Sequence, residues 1–572
     1  MNDHASQSFG RPRRPALLAG LAYLALTGGY AWPVVANLTT HVAGTGGDAW
    51  QNLWNMWWFG TALSSGHNPY FTPLLHHPQG ITLVFQTLNP FNCLLAWPLA
   101  WVFGLVAAYN LVFLLSFVAA GLGMYWLGRE LGLRPLAAFS SGAVFTFSPY
   151  HFAHGTGHLQ LVAMEWVPVY LLLLRRLWRR PTLENGLATG LALALVTFCD
   201  LYYFVSCVII TLLALALELP GLGLRLRERA LVGGIGAFVV AFAVTGGVLV
   251  AAVAGAFATT DVVPAHQASY WSADLQAFFV PNQISAWGAA FRAYSNRWAG
   301  NEAENSQYVG YSVLTLAVLG VRLRAKGARP WRFVGLAAVG VLLALGPTLR
   351  WGGRATGVPL PFGLFETIVP ILKLSGAPTR WCFLAVLAVA VLAGFGLDAV
   401  LARLDLRFAA QPRRVQLAGV GFLALVLIEL LPRFVDVRPY QQPSFVAALA
   451  ADDAPGAVYD LGGAGLALVR QIGHGRPMVG GYVSRLTRSA QAYLQTTPVL
   501  RALRGEWLLA PLEVATGAAA IGLRFVILPT THPNRGNLGR LGLRHLSTAG
   551  GLEVWEIGPP ASAGQRPWEG GP

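Results

Sequence analysis

The stretch AYNLVFLLSFVAAGLGMYWLGRELGLR, residues 108–134, decides the fold. From 108 to 128 it carries no charged residue, and Arg129 and Arg134 then close it. About 20 consecutive apolar residues make one bilayer crossing, and basic residues gathered at one end mark the cytoplasmic side. The pattern recurs along the chain. Arg175, Arg176, Arg179 and Arg180 form one basic cluster, and Arg225, Arg227 and Arg229 a second. Arg322, Arg324, Lys326, Arg329 and Arg332 form a third, and Arg403, Arg407, Arg413 and Arg414 a fourth, with long apolar runs between. Composition agrees: hydrophobic residues are 55% of the 572 and charged residues 11%, against roughly 25% charged in a soluble domain. The net charge of +15 resides largely in these loop clusters. It therefore reads as the positive-inside pattern and excludes a nucleic-acid partner.

Working outward, residues 1–14 read as a cytoplasmic basic tail and 15–432 as a transmembrane domain. Eleven helices are predicted, at about 15–36, 108–128, 135–149, 166–178, 183–199, 202–219, 230–254, 307–322, 331–347, 379–401 and 415–432. The first apolar run has no small-residue cleavage site and is expected to be retained. A long first outer loop, 37–107, contains no Lys or Arg. Its apolar stretch 89–106 is expected to lie as a helix in the outer interface. On this threading twenty-one basic residues fall inside, and six fall in outer loops: Arg292, Arg297, Arg350, Arg354, Lys373 and Arg380. The N-terminus is thus expected in the cytoplasm.

After 433 thirteen Arg residues return among acids and Gly, and short β-rich runs such as 457–461, 525–528 and 552–556 alternate with a helical stretch at 484–509. This predicts a small C-terminal α/β domain, 433–557, in the periplasm of a bacterial inner-membrane protein, with a disordered tail at 558–572. Cys93, Cys199, Cys207 and Cys382 have no ligand or disulfide spacing and read as small core residues.

Charged residues are so scarce in the apolar half that each asks for a reason. Asp48 is the only Asp, Glu, Lys or Arg between Arg14 and Arg129. At helical spacing Asp48, Gln51, Asn52 and Asn55 share one face, and Trp50, Leu53, Trp54, Trp57 and Trp58 the other. That predicts an amphipathic helix with its Trp face in the membrane and its polar face toward a cavity. Asp48 also suits a helix N-terminus, where a carboxylate meets the positive end of the dipole. His154, His158 and Glu165, at offsets of four and eleven, are expected on one helical face. They read as an outer-side polar site that binds a sugar or a divalent metal, with His158 and Glu165 as substrate-binding candidates, or as a hydrogen-bonded interfacial patch; no cofactor is otherwise expected. Asp200 marks an outer turn, either contacting substrate or simply forming the turn. Lys373 and Arg380 flank Ser375-Gly376-Ala377-Pro378 and are candidates to hold an anionic group. The outer loop 255–306, which holds Asp261, His266, Asp274, Arg292, Arg297, Glu302 and Glu304, is long enough to be a lid or binding loop.

Taken together, these features resemble the GT-C superfamily of membrane glycosyltransferases. The likeness rests on the cytoplasmic N-terminus, one helix, a long outer loop opening with Gly46-Gly47-Asp48, the basic pair Arg129 and Arg134, and many further spans. His77-Pro78-Gln79-Gly80, Gly157-His158-Leu159-Gln160 and Glu165-Trp166-Val167-Pro168 add local similarity to bacterial members. The resemblance implies a polyprenyl-phosphate-linked sugar donor, transfer of a hexosyl or pentosyl unit, and Asp48 as the catalytic base. The acceptor is unspecified. No D-x-D pair occurs in the early outer loops, unlike metal-dependent relatives. A transporter or lipid flippase would also bury rare acids, but at the bilayer midplane rather than the outer face. A non-catalytic envelope-glycan assembly protein is the third reading.

Overall fold

The computed structural model describes residues 13–263, 267–323, 329–368 and 376–558. The predicted tails up to residue 12 and from residue 559, together with Lys373, lie outside these residues. The chain divides into two compact units. One comprises the chain to Leu38, Asn110–Ala251 and Pro264–Asp436; the other comprises Thr39–Tyr109, Ala252–Val263 and the chain from Val437.

The first unit is helical. Its centre is the helix Cys382–Arg407, apolar and buried all round from Cys382 to Gly394, as a helix enclosed by others must be. Pro135–Thr146, Tyr311–Arg322 and Trp331–Ala344 pack against it. Close approach to Tyr311–Arg322 depends on two glycines: a Cβ on Gly396 would lie 1.8 Å from the Leu316 carbonyl oxygen, and one on Gly320 would lie 2.2 Å from that of Leu392. Leu183–Cys199 packs against Trp166–Arg179 and Arg229–Ala243. The basic ends of these helices are tied by ion pairs: Arg134 to Asp398 (3.1 Å) and Asp405 (2.9 Å), and Arg176 to Glu130 (2.9 Å).

Helices occupy all eleven predicted positions, but fewer are complete spans than expected. Among the described residues three, Leu105–Glu130, Leu201–Leu219 and Pro378–Arg407, are long and apolar enough to cross a membrane. The predicted helix 230–254 is a bent pair, Arg229–Ala243 and Gly246–Thr259, at 55° to one another. At the bend the Thr245 hydroxyl donates back to the Ala241 carbonyl, and Gly246-Gly247 follows. Several others, such as Pro135–Thr146 (12 residues) and Trp166–Arg179 (14 residues), fall short of the roughly 20 residues a crossing needs.

The second unit is built on a four-stranded sheet in the order Ala457–Asp460, Leu523–Pro529, Leu552–Ile557, Leu543–Ala549. The first pair is parallel and the other two antiparallel. The parallel pair is joined through the helices Ala464–His474, Arg488–Thr496, Pro498–Arg504 and Pro511–Ala520. The predicted helix 484–509 is therefore two helices, broken where Pro498 cannot continue the first.

The first outer loop belongs to this same unit. His41–Ala43 pairs antiparallel with Val437–Pro439. Gly46 (φ 101°) and Gly47 (φ 52°) then turn the chain into the helix Asp48–Ser64. Both angles lie where only glycine is comfortable. The tryptophans of that helix do not face lipid, contrary to the amphipathic reading. Trp54 and Trp58 are buried with Leu75, Phe445, Leu468, Phe525 and Val554 in one core. The Trp54 indole donates to Gln471 Oε1 at 2.7 Å, so its polar edge is matched by a protein partner. The helix Pro90–Phe103 follows, and its Leu94, Leu95, Trp101, Val102 and Phe103 remain exposed. Such an apolar face is what an interfacial helix presents.

Candidate functional site

In the second unit, Asp48 occupies the first turn of its helix and is half-buried. The Tyr482 hydroxyl donates to Asp48 Oδ1 at 2.5 Å. Burial, followed by the charge of Asp48, pushes the Tyr482 phenol well above its usual value, so this hydroxyl remains a donor. The polar face read from the sequence is real, but protein covers most of it. Gln51, Asn52 and Asn55 are buried. Gln51 Oε1 accepts from Thr87 (2.9 Å) and Ser484 (2.8 Å), and the Ser484 backbone N–H donates to Gln86 Oε1 (2.7 Å). The expected cavity along this face is thus filled by residues 86–87 and 482–484. Asp48, at the end of the helix, keeps partial exposure because the face runs out there. Tyr482 and Ser484 carried no sequence signal, since they come from a distant segment.

In the first unit, the expected face shared by His154, His158 and Glu165 does not form. The helix Pro149–His154 ends at Gly155; His158 opens a four-residue helix, and Glu165 precedes a third. Two glycines in three residues break the continuity on which the offsets depended. Glu165 is buried apart from the histidines, within electrostatic reach of Cys199 and Tyr203.

Glu304 takes the place expected for Glu165. One ligand atom each from His154, His158 and Glu304 lie within 4.8 Å of one another. The two imidazoles approach Nδ1 to Nδ1 at 3.3 Å. Glu304 is fixed on its other side: Arg380 donates to Oε1 from Nε (2.9 Å) and Nη2 (2.6 Å), and Thr379 donates to Oε2 (2.7 Å). Burial opposes its charge, but Arg380 and the histidines override this and hold the carboxyl well below its usual range. The Arg380 guanidinium also lies 5.4 Å from the Tyr202 ring centroid. Arg380 is therefore not a bare cation awaiting an anion, as the sequence suggested; its charge is already shared with a buried acid.

Asp200 joins this cluster. It caps the helix Leu201–Arg225 by accepting from the Tyr202 N–H at 2.7 Å, and it lies within electrostatic reach of Arg380 and His158. Burial raises its pKa to about 6, although the cap bond, Arg380 and His158 pull the other way. His154, His158, Asp200, Glu304 and Arg380 thus form one polar group in the first unit.

Solved structures place this architecture. The arabinofuranosyltransferase AftD from Mycobacteria superposes with a TM-score of 0.55 at 15% identity, over 96% of this chain and 42% of that one. ArnT from Cupriavidus metallidurans, in a structure with undecaprenyl phosphate, gives 0.47 at 12% identity over 96% and 99%. The oligosaccharyltransferase AglB from Archaeoglobus fulgidus gives 0.45 at 12% identity over 90% and 69%. The chain has the fold of the GT-C membrane glycosyltransferases, and it spans less than half the length of AftD. Residues 16–426 match the family described as Domain of unknown function (DUF6311), and the chain belongs to that family. No curated protein matches it.

Proposed function

We propose that this chain transfers a sugar from a polyprenyl-phosphate donor to an extracytoplasmic acceptor, with inversion at the anomeric carbon and Asp48 as general base. The observation that carries the reading is the setting of Asp48. It is the lone acid of its region, placed at a helix N-terminus, accepting a hydrogen bond from Tyr482 and still partly exposed. A helix N-terminus and a hydroxyl donor both favour an ionised carboxylate, the form a base requires. In the reaction Asp48 takes the proton of an acceptor hydroxyl. That oxygen then bonds to the anomeric carbon as the bond to the lipid phosphate breaks. One displacement inverts the centre. Lys373 or Arg380 offers positive charge to the departing phosphate, and His158 and Asp200 contact substrate.

The reading includes eleven membrane crossings, some by short or bent helices, with a cytoplasmic N-terminus and the segment after 433 in the periplasm of a bacterial inner membrane. The test is sugar transfer by membranes supplied with polyprenyl-phosphate hexoses and pentoses. Asp48→Asn keeps the helix start and should lose about 10²–10⁴ in rate. Turnover near wild type in Asp48→Asn would remove Asp48 from the mechanism. No transfer by the wild type with any donor would bring forward a flippase or transporter.

A further inference from the structure

His154 and Glu304, to which the glycosyl-transfer chemistry above gives no role, stand with His158 in one cluster of the first unit. We infer that His154, His158 and Glu304 form a binding site for a transition-metal dication of the Zn²⁺ class, with a coordination position left for water or an anionic oxygen.

The nitrogen spacing is the first argument. Two imidazole nitrogens bound to one tetrahedral Zn²⁺ at about 2.0–2.1 Å sit roughly 3.3–3.4 Å apart. His154 Nδ1 and His158 Nδ1 are 3.3 Å apart. The carboxylate is the second argument. A Glu304 oxygen lies within 4.8 Å of one ring nitrogen of each histidine, and a shift on the order of an ångström brings it to ligand spacing. Glu304 accepts three hydrogen bonds, two at Oε1 and one at Oε2. A carboxylate has about four lone-pair sites, so Oε2 retains one. Arg380 and Thr379 then act as the outer partners that aim a ligating carboxylate.

Charge balance is the third argument. Glu304 and Asp200 bring two carboxylates to a neighbourhood whose fixed cation is Arg380. When both are ionised, a further cation is favoured. Two imidazoles and one carboxylate are the donor set of open zinc sites, and imidazole selects against Mg²⁺ and Ca²⁺.

The experiment uses the purified full-length protein in detergent, stripped with chelator and titrated with Zn²⁺, Co²⁺ or Mg²⁺ alone. The expected result is about one Zn²⁺ per chain, visible d–d absorption with Co²⁺, and no displacement of Zn²⁺ by excess Mg²⁺. His158→Asn, at a half-exposed position, and His154→Ala should each weaken Zn²⁺ binding by about a hundredfold or more, whereas Glu165→Gln should bind as the wild type does. X-ray absorption on the Zn²⁺-loaded wild type gives a readout that needs no variant, and two imidazoles in the shell are expected. Less than stoichiometric Zn²⁺ in the wild type, unchanged binding in His158→Asn, or fewer than two imidazoles overturns the inference. These readouts need no donor sugar, so failure of the glycosyltransferase reading leaves them interpretable.

Discussion

At the scale of single residues, two buried acids give opposite tests. The Asp460 carboxylate is fully buried and bound by Arg470 through Nε (2.7 Å) and Nη2 (2.8 Å). Neutralising one partner strands the other charge, so Asp460→Asn should cost about 3–5 kcal/mol. The second unit should then lose protease resistance at a lower temperature than in the wild type. Asp398→Asn breaks a half-exposed pair and should cost about 1 kcal/mol or less. Asp200 differs because burial raises its pKa to about 6, against about 3.9 in an unfolded chain. Folded, it holds its proton more tightly. Its contribution is full below about pH 4 and is lost as pH rises through about 6. Asn mimics the protonated form and keeps the cap. The apparent melting temperature of Asp200→Asn should therefore gain on the wild type between pH 4.5 and 7.5. A difference that stays constant with pH would mean that Asp200 is solvated.

At the scale of elements, the helix pair Tyr311–Arg322 and Cys382–Arg407 depends on backbone contact. A methyl at Gly396 meets the Leu316 carbonyl at 1.8 Å, and backbone cannot swing aside. Gly396→Ala should destabilise by about 1–3 kcal/mol, read as a lower unfolding temperature in detergent. Gly421→Ala, on Pro412–Glu429 with nothing within 4 Å, should be neutral or slightly stabilising. The helix Asp48–Ser64 shows how far an element can be read from sequence. Its start, its polar face and its apolar face were all legible in spacing. What covers the apolar face was not, because a Trp stripe has the same periodicity whether lipid or Phe445 and Phe525 lie against it.

At the scale of the whole molecule, the outer loop 39–109 and the chain after 437 share one core. A chain ending at Asp436 should leave Trp54 and Trp58 uncovered, and limited proteolysis should cut within 39–109 where the full chain resists. Equal resistance in both would mean that the loop folds unaided. The topology is tested separately: reporter fusions at Arg180 and after Pro432 should report opposite compartments.

The sequence by itself determined the membrane class, the helix positions and the isolation of Asp48. These follow from hydropathy, charge and spacing, which are local and add along the chain. The central sheet strands were legible for the same reason, through runs such as Phe525-Val526-Ile527-Leu528. The strand Leu543–Ala549 was not, since its residues alternate weakly and pairing with Leu552–Ile557 supplies the order. Only the tertiary structure decided that Tyr482 meets Asp48 and that Glu304, not Glu165, joins His154 and His158. Neither contact leaves a trace in spacing. Each is made when packing of apolar surface brings distant segments together, and the polar groups must then find partners among whatever arrives.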